Sequence, residues 1–406
     1  MESRGISELV SRKGQELLDS LPPYSSEGLL ALSERLRAEG HSPELIAAAL
    51  TQSRLRAKAR SKFGDVAGGL LLTSAGLEQA TRLSVGRRHA ATLVEAGARH
   101  VVDFGCGIGA DSLAFAEAGL TVTAIEADEI TALFAARNVP GATVVHGDGF
   151  ELLASIGGAD AVWLDPARRT ASGKRITNPE HWSPAFSRAL QVAERLPVAG
   201  IKVAPGIDHA ALPGRARVEW ISEGGGLLEA VVWLGVGEPG RIARVDGRIY
   251  DSGAAAADEP VVQVEPRELG AVLVEPDSAI IRSGGIAAMC REHDLAPVSP
   301  GIAYLSGEAA LAGGSAMAGA APTGGMPVPG AAAFEVLDVL PVDIKAIKKA
   351  LAARGVGPLE IKKRGIDIEP ERLRAKLGTR QGEPAVLILT PVMGRRRAIL
   401  ARRLGH

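Results

Sequence analysis

The 406-residue chain carries 46 Lys and Arg against 47 Asp and Glu, a formal net charge of −1, and is long enough for two or three domains with sizeable cores. Its 46% hydrophobic and 23% charged residues are those of an ordinary globular protein. Two cysteines exclude a disulfide scaffold, a cysteine-ligated iron–sulfur cluster and a four-cysteine zinc site. The eight histidines show no HxH or HExxH spacing, so no metal is expected.

The opening MESRGISELV lacks the apolar run of a signal peptide, and a cytoplasmic protein is expected. Residues 1–70 read as a mostly polar helical region. Within it Ser42 caps a helix that has Pro43 at its first position. That helix ends in RLRAKARSK, where Arg54, Lys58 and Lys62 share one face and Arg56 and Arg60 another. A solvated helix surface is the simplest account; phosphate contact is the alternative.

From residue 98 short β-branched runs recur: HVVDFG, TVTAIEA, ATVVHGD, DAVWLDP, AGIKVAP, ARVEWIS and LEAVVWLG. Helical patterns separate the first five, as right-handed crossovers in a parallel sheet require. Only EGGGL lies between the last two, so they form an antiparallel hairpin. The expectation is an α/β protein with a Rossmann-like seven-stranded sheet over residues 71–240. Residues 241–308 form an intermediate segment with an Ala-rich loop from Ser252 to Asp258 and a helix over 275–293.

Residues 309–334 carry no charge over 26 positions, but nine of these are Gly or Pro. A helix of that composition is too weak and too little hydrophobic to span a bilayer, so 309–333 read as a flexible Ala/Gly linker and no membrane segment is expected. Residues 334–406 then give strand, helix, strand, helix and two closing strands, a small ferredoxin-like α+β domain. Asp343 and Gly355 bracket its first helix, Pro370 and Gly378 its second. From Glu335 onward 16 Lys and Arg face 8 Asp and Glu, so this end is strongly basic and the remainder acidic. A basic module behind a linker suggests a polyanionic partner.

The first strand runs into Asp103-Phe104-Gly105-Cys106-Gly107-Ile108-Gly109-Ala110. Gly105, Gly107 and Gly109 allow a sharp turn and close approach of a ligand beside a helix N-terminus. The pattern also fits the dinucleotide GxGxxA motif. Asp103 discriminates, because a carboxylate there repels a pyrophosphate but suits a cationic amino group, a placement that resembles motif I of class I S-adenosylmethionine-dependent methyltransferases. Glu126, closing the second strand, can accept hydrogen bonds from both hydroxyls of a ribose. Asp148, after the third, can bond an adenine amino group while Phe150 covers the ring. Each acid alone could be a helix cap; three at successive strand ends behind a glycine loop argue for one site.

The fourth strand ends in Asp165-Pro166-Ala167-Arg168-Arg169. Enzymes that methylate amino groups of bases carry (D/N)PP(Y/F) there, and this chain lacks the second proline and the aromatic. Arg168, Arg169, Lys174 and Arg175 crowd the following loop, which suits a phosphate or carboxylate substrate. Trp182 and Phe186 are the nearest aromatics, and packing of the next helix is their simpler role. Cys106 and Cys290 lie where neither serves as the thiolate for pyrimidine C5 methylation.

Together DFGCGIGADS, IEAD, HGDGFELL, LDPARR, IKVAPGID and the basic C-terminal module resemble bacterial class I S-adenosylmethionine-dependent methyltransferases with a C-terminal THUMP-like domain. The resemblance spans roughly residues 65–406. It implies S-adenosyl-L-methionine as cofactor and an RNA-binding ancestry for the last domain. The expected activity is methylation of tRNA or rRNA, with Asp165 orienting or deprotonating the acceptor, the Pro166 carbonyl accepting a bond from it, and Arg168 alongside. Two alternatives stand beside it. One is methylation of a small anionic metabolite clamped by Arg168 and Arg169; the other is an RNA-associated cofactor-binding protein that has lost catalysis.

Overall fold

A computed structural model describes residues 3–152, 156–168, 174, 176–307, 328–378 and 381–404. The chain divides into two compact units, Met1–Val203 with Trp233–Gly237, and Ala204–Val232 with Glu238–His406.

The first unit opens with α1 (Ser3–Val10), α2 (Arg12–Ser20), α3 (Leu29–Ala38) and α4 (Pro43–Phe63). Ser42 Oγ accepts the Leu45 N–H at 3.2 Å, the expected cap. Leu9, Leu17, Leu36, Leu45 and Phe134 share an apolar core, each such side chain contributing about 1.5–3 kcal/mol on burial. The basic end of α4 serves two purposes. Lys62 Nζ donates to the carbonyls of Leu77, Glu78 and Ala80 at 2.7–2.9 Å, holding the end of α5 (Ser74–Gln79), and Arg56 Nε donates to Leu70 O at 2.8 Å. Arg54, Lys58 and Arg60 are exposed.

After α6 (Leu83–Glu95) strands and helices alternate: β1 (His100–Phe104), α7 (Ala110–Glu117), β2 (Thr121–Glu126), α8 (Glu129–Asn138) and β3 (Thr143–His146). There follow α9 (Gly149–Leu152), β4 (Ala161–Leu164), α10 (Phe186–Ala193) and β5 (Val198–Val203). The strand order is β3-β2-β1-β4-β5 and every pairing is parallel. The chain starts in the middle, winds out to β3, then returns to β4. That reversal opens a crevice at the carboxyl ends of β1 and β4. Beneath it Trp163 lies 5.6 Å from Trp233 and 5.9 Å from Phe115, between ring centroids.

The second unit holds β6 (Arg217–Glu223) and, as far as Val232, β7 (Gly226–Leu234), joined by Gly224 and Gly225. Both glycines have positive φ, 60° and 73°, as a tight two-residue hairpin turn demands. Beyond the seven expected strands, β8 (Gly240–Val245) runs parallel to β6 and β9 (Arg248–Asp251) antiparallel to β8.

The rest of this unit is one sheet with its helices. Its elements are β10 (Val272–Pro276), α11 (Ser278–Ser283), α12 (Ile286–His293), β11 (Ala296–Pro297), β12 (Leu305–Gly307) and β13 (Ala331–Pro341). They continue with α13 (Ile344–Ala353), β14 (Val356–Lys363), α14 (Pro370–Leu377), β15 (Glu383–Val392) and β16 (Arg395–Leu404). The strand order is β11-β12-β10-β13-β16-β15-β14. The single helix expected over 275–293 is broken at Gly284 and Gly285 into α11 and α12. The expected linker falls largely outside the described residues, and its last three residues, from Ala331, already belong to β13 and pair with β10. Alternate residues of β15 and β16 face opposite sides: Leu387, Leu389 and Leu400 pack under α13 and α14, while Ile388 and Ile399 pack with Phe334.

Candidate active site

The glycine loop leaves β1 and opens α7. Gly105, Gly107 and Gly109 have φ of 82°, 57° and 82°, a region that favours glycine. A Cβ at Gly105 or Gly107 would meet nothing within 4 Å, so the bare backbone faces open space; at Gly109 it would come within 2.9 Å of Val139.

Asp103 sits at the end of β1, 2% exposed, and accepts a 2.5 Å hydrogen bond from Ser112 Oγ. Burial raises its carboxyl to about 8; the charges of Asp111, Asp165 and Glu126 add to the shift and the Ser112 bond opposes it. Glu126 closes β2, its Oε2 accepting the Gly107 N–H and its Oε1 the Asp128 N–H, both at 2.9 Å. Asp148 is exposed and its Oδ1 takes the Phe150 N–H at 2.7 Å, so in this structure it serves as a cap for α9. The Phe150 ring lies 4.9 Å from Phe104, with the Arg188 guanidinium 4.0 Å from its centroid.

At the end of β4, Asp165 Oδ2 accepts from Lys202 Nζ at 2.8 Å. Pro166 is buried and Arg168 half-buried. The Arg168 carbonyl accepts the Ile176 N–H at 2.8 Å, and Ala167 exchanges backbone hydrogen bonds with Ser183. Lys174 is exposed; Arg169 and Arg175 lie outside the described residues. Trp182 and Phe186 are both buried, so their packing role is the one observed. Burial pushes the Cys106 thiol far above its usual range and Cys290 up to about 11, so both stay protonated and neither is a nucleophile at neutral pH.

Three acids thus surround a bare, helix-opening glycine loop at a topological switch. Comparison with known proteins shows what this chain is similar to. Two proteins of Mycobacterium tuberculosis, each described as an uncharacterized S-adenosylmethionine-dependent methyltransferase, are 29% identical over 368 residues, covering 88% of this chain and 95% of theirs. The crystal structure of a Porphyromonas gingivalis protein described as a methyltransferase has the same fold, with a TM-score of 0.71 at 18% identity over 95% of this chain and 100% of that one. A family model described as THUMP domain-like matches residues 331–403, and one described as a domain of unknown function matches 3–59. The chain is a homologue of S-adenosylmethionine-dependent methyltransferases.

A methyltransferase cofactor of this kind carries a sulfonium and an ammonium, and the residues present fit it. Glu126 and Asp165 offer carboxylates, Asp103 a carboxyl that a neighbouring cation would ionise, and the glycine backbone leaves room beside them. No group of three or more His, Cys, Asp and Glu among the described residues could hold a metal, and no described helix is long and apolar enough to cross a membrane.

Sequence reasoning missed four side chains linked to Asp165 at the candidate site: Lys202, Thr81, Asp111 and His89. The one signal for them was a lysine inside the otherwise apolar run AGIKVAP. A cleft of about 1420 Å³ also opens in the second unit, lined among others by Tyr250, Glu275, Lys362, Arg364 and Arg403. Two of its cations are already paired, Lys362 with Glu275 at 2.7 Å and Arg403 with Glu360 at 2.9 Å, and the strand-end site is the better candidate.

Proposed function

We propose that this protein transfers a methyl group from S-adenosylmethionine to RNA, either tRNA or rRNA. The observation that carries the reading is the Asp165 carboxylate, held by Lys202 at the carboxyl end of β4 beside the switch between β1 and β4. When bound, the cofactor supplies an electrophilic methyl group on sulfur. Asp103 would balance its amino group, Glu126 accept from its ribose, and Asp148 and Phe150 meet its adenine. Gly105, Gly107 and Gly109 would let it lie against the backbone.

The rest is done by positioning. Asp165 would orient the acceptor and receive its proton, with the Pro166 carbonyl as a second acceptor. Arg168, Arg169, Lys174 and Arg175 would take the phosphates of the substrate. RNA as the partner is supported by the THUMP-like match and by the cations of that region. Lys345, Lys349, Lys363, Arg395 and Arg396 are exposed there and have no ion-pair partner among the described residues. Phosphate contact by such groups is sequence-independent, which suits a module that delivers RNA to a separate catalytic site.

The test is mass spectrometry of nucleosides from the total RNA of a strain lacking the gene, beside its parent. One modified nucleoside missing from the deletion strain, and restored by the wild-type gene but not by Asp165→Ala, is expected. Identical nucleoside profiles would turn attention to small anionic acceptors.

A further inference from the structure

Every residue of β5 is buried, and one of them is a lysine: Lys202 is 4% exposed. A cation so placed has to be compensated. Its Nζ donates to Asp165 Oδ2 and to Thr81 Oγ1, both at 2.8 Å. The Thr81 hydroxyl, having accepted, donates onward to Asp111 Oδ2 at 2.7 Å, and Asp111 Oδ1 faces His89 Nδ1 at 3.0 Å. Burial works against ionisation of Asp111, but the His89 bond and charge, Lys202 and Thr81 together hold its carboxyl below the usual range. The ammonium therefore stands between two carboxylates, one in direct contact and one reached through a hydroxyl.

This arrangement selects among acceptors. An amino group becomes cationic as its nitrogen takes a methyl, and it needs a carboxylate whose charge is still available. The charge of Asp165 is already offset by Lys202, and a second cation beside it is repelled. A hydroxyl that gives up its proton as the new bond forms builds no such charge, and a nearby ammonium favours its oxygen. The large aromatics that hold a flipped base are also missing here: residues 167–181 contain no Phe, Trp or Tyr, with His181 their one ring, and Trp182 and Phe186 are buried. The same stretch carries Arg168 and Lys174, suited to a sugar flanked by phosphates.

We propose that the acceptor is the 2′-hydroxyl of an RNA ribose and that Lys202 is the positioning residue that fixes Asp165 toward it. This rests on the RNA methyltransferase reading above. The hydroxyl oxygen bonds the methyl carbon as the carbon–sulfur bond breaks. Both electrons of that bond remain on sulfur, which becomes a neutral thioether, and the hydroxyl proton passes to Asp165.

The experiment incubates the full-length protein with methyl-tritiated S-adenosylmethionine and total RNA from the deletion strain. One half of the RNA is hydrolysed with alkali and the other digested for mass spectrometry, while cofactor binding is followed by calorimetry. Label in alkali-resistant dinucleotides is expected, because a methylated 2′-oxygen cannot attack the adjacent phosphate. Label on a base overturns the hydroxyl assignment and leaves RNA methylation standing. No label in any RNA, with cofactor bound, overturns both.

Lys202→Met should lower kcat by ~100-fold or more, the scale of a lost proton-transfer arrangement, with cofactor affinity unchanged. Its residual kcat should rise with pH, since the acceptor must then ionise before it attacks. Lys202→Arg, which can still bond Asp165, should recover part of the rate and the wild-type pH profile. A Lys202→Met protein with wild-type kcat, or with kcat lowered equally at every pH, removes the positioning role. Should Lys202→Met not fold, Lys202→Arg and the product analysis still decide.

Discussion

Glu126 Oε2 accepts the Gly107 amide hydrogen at 2.9 Å, which ties the end of β2 to the middle of the glycine loop. Each carboxylate oxygen keeps acceptor capacity toward a ligand after serving one backbone N–H. Glu126→Ala should therefore weaken S-adenosylmethionine binding by about 1–3 kcal/mol, the range for hydrogen bonds to a charged group. S-Adenosylhomocysteine, which has the same ribose, should lose a similar amount. Calorimetry on both ligands checks this, and wild-type affinity in the variant would move the ribose site elsewhere.

With Asp103 in its proposed place beside the cofactor's amino group, cofactor binding should be a proton-linked event. Its carboxyl is raised from 3.8 to about 8 in the folded protein. Between those values the unfolded chain has released a proton that the folded one keeps, so this group makes stability fall as pH rises through the window. A cationic ligand reverses the preference for the neutral acid. Binding of S-adenosylmethionine at pH 7 should then expel a proton, visible as a heat that varies with the ionisation enthalpy of the buffer. In Asp103→Asn that dependence should vanish, affinity should fall, and the Tm of the free protein should decline less between pH 5 and 8. Buffer-independent heats in the wild type would show that Asp103 is not where the ammonium sits.

Asp165→Asn separates binding from turnover. The amide oxygen can still accept from Lys202, so the buried cation keeps a partner and the fold should persist. Cofactor affinity should be nearly unchanged while methyl transfer falls by ~100-fold or more, the signature of a group used in the transition state. Single-turnover kinetics beside calorimetry give both numbers. Full turnover would shift the chemistry away from β4.

The core under the site tolerates no extra atom at Gly200. A Cβ there would lie 2.5 Å from the Trp163 ring and 2.7 Å from that of Trp233, both fully buried. Gly200→Ala should cost about 1–3 kcal/mol through overpacking. Denaturant titration with an unchanged m-value would confirm it, and an unchanged midpoint would mean the rings can give way.

What the sequence made legible follows from contrast. The strands of the first unit stand out because helices separate them and their β-branched runs are short. The acids Asp103, Glu126 and Asp165 stand out because they end those runs. Lys202 did not, since a lysine in an apolar strand reads equally well as one whose tip reaches solvent. His89 and Asp111 come together through packing of α6 on α7, and Thr81 joins them from the turn before α6, which no local pattern encodes. Residues 240–307 were opaque for a related reason: β11 and β12 are only two and three residues long, and β10 is defined by a partner, β13, about sixty residues away. The same pairing joins β13 at the start of the C-terminal region to β10 in one sheet.

That pairing also decides how the basic region should be tested. Deleting it would strip β10 of its neighbour, so charge reversal is the cleaner perturbation. Many of its cations are already committed, among them Lys362 to Glu275 at 2.7 Å, Arg374 to Glu371 at 2.7 Å and Arg403 to Glu360 at 2.9 Å. Lys345 and Lys349 on α13 and Arg395 and Arg396 at the start of β16 are exposed and have no such partner among the described residues. Those four are among the cations able to meet phosphate, and the region offers little for stacking, since Phe334 is fully buried. Replacing all four with Glu should weaken RNA binding by at least ~10-fold near physiological salt and reduce the log–log salt slope by a few units, one for each phosphate no longer neutralised. S-Adenosylmethionine binding should be untouched, because the residues proposed to hold it lie between 103 and 150. Filter binding across a salt series, with calorimetry as the control, measures both. An unchanged slope would mean that the excess positive charge of this region serves solubility and that RNA is held elsewhere.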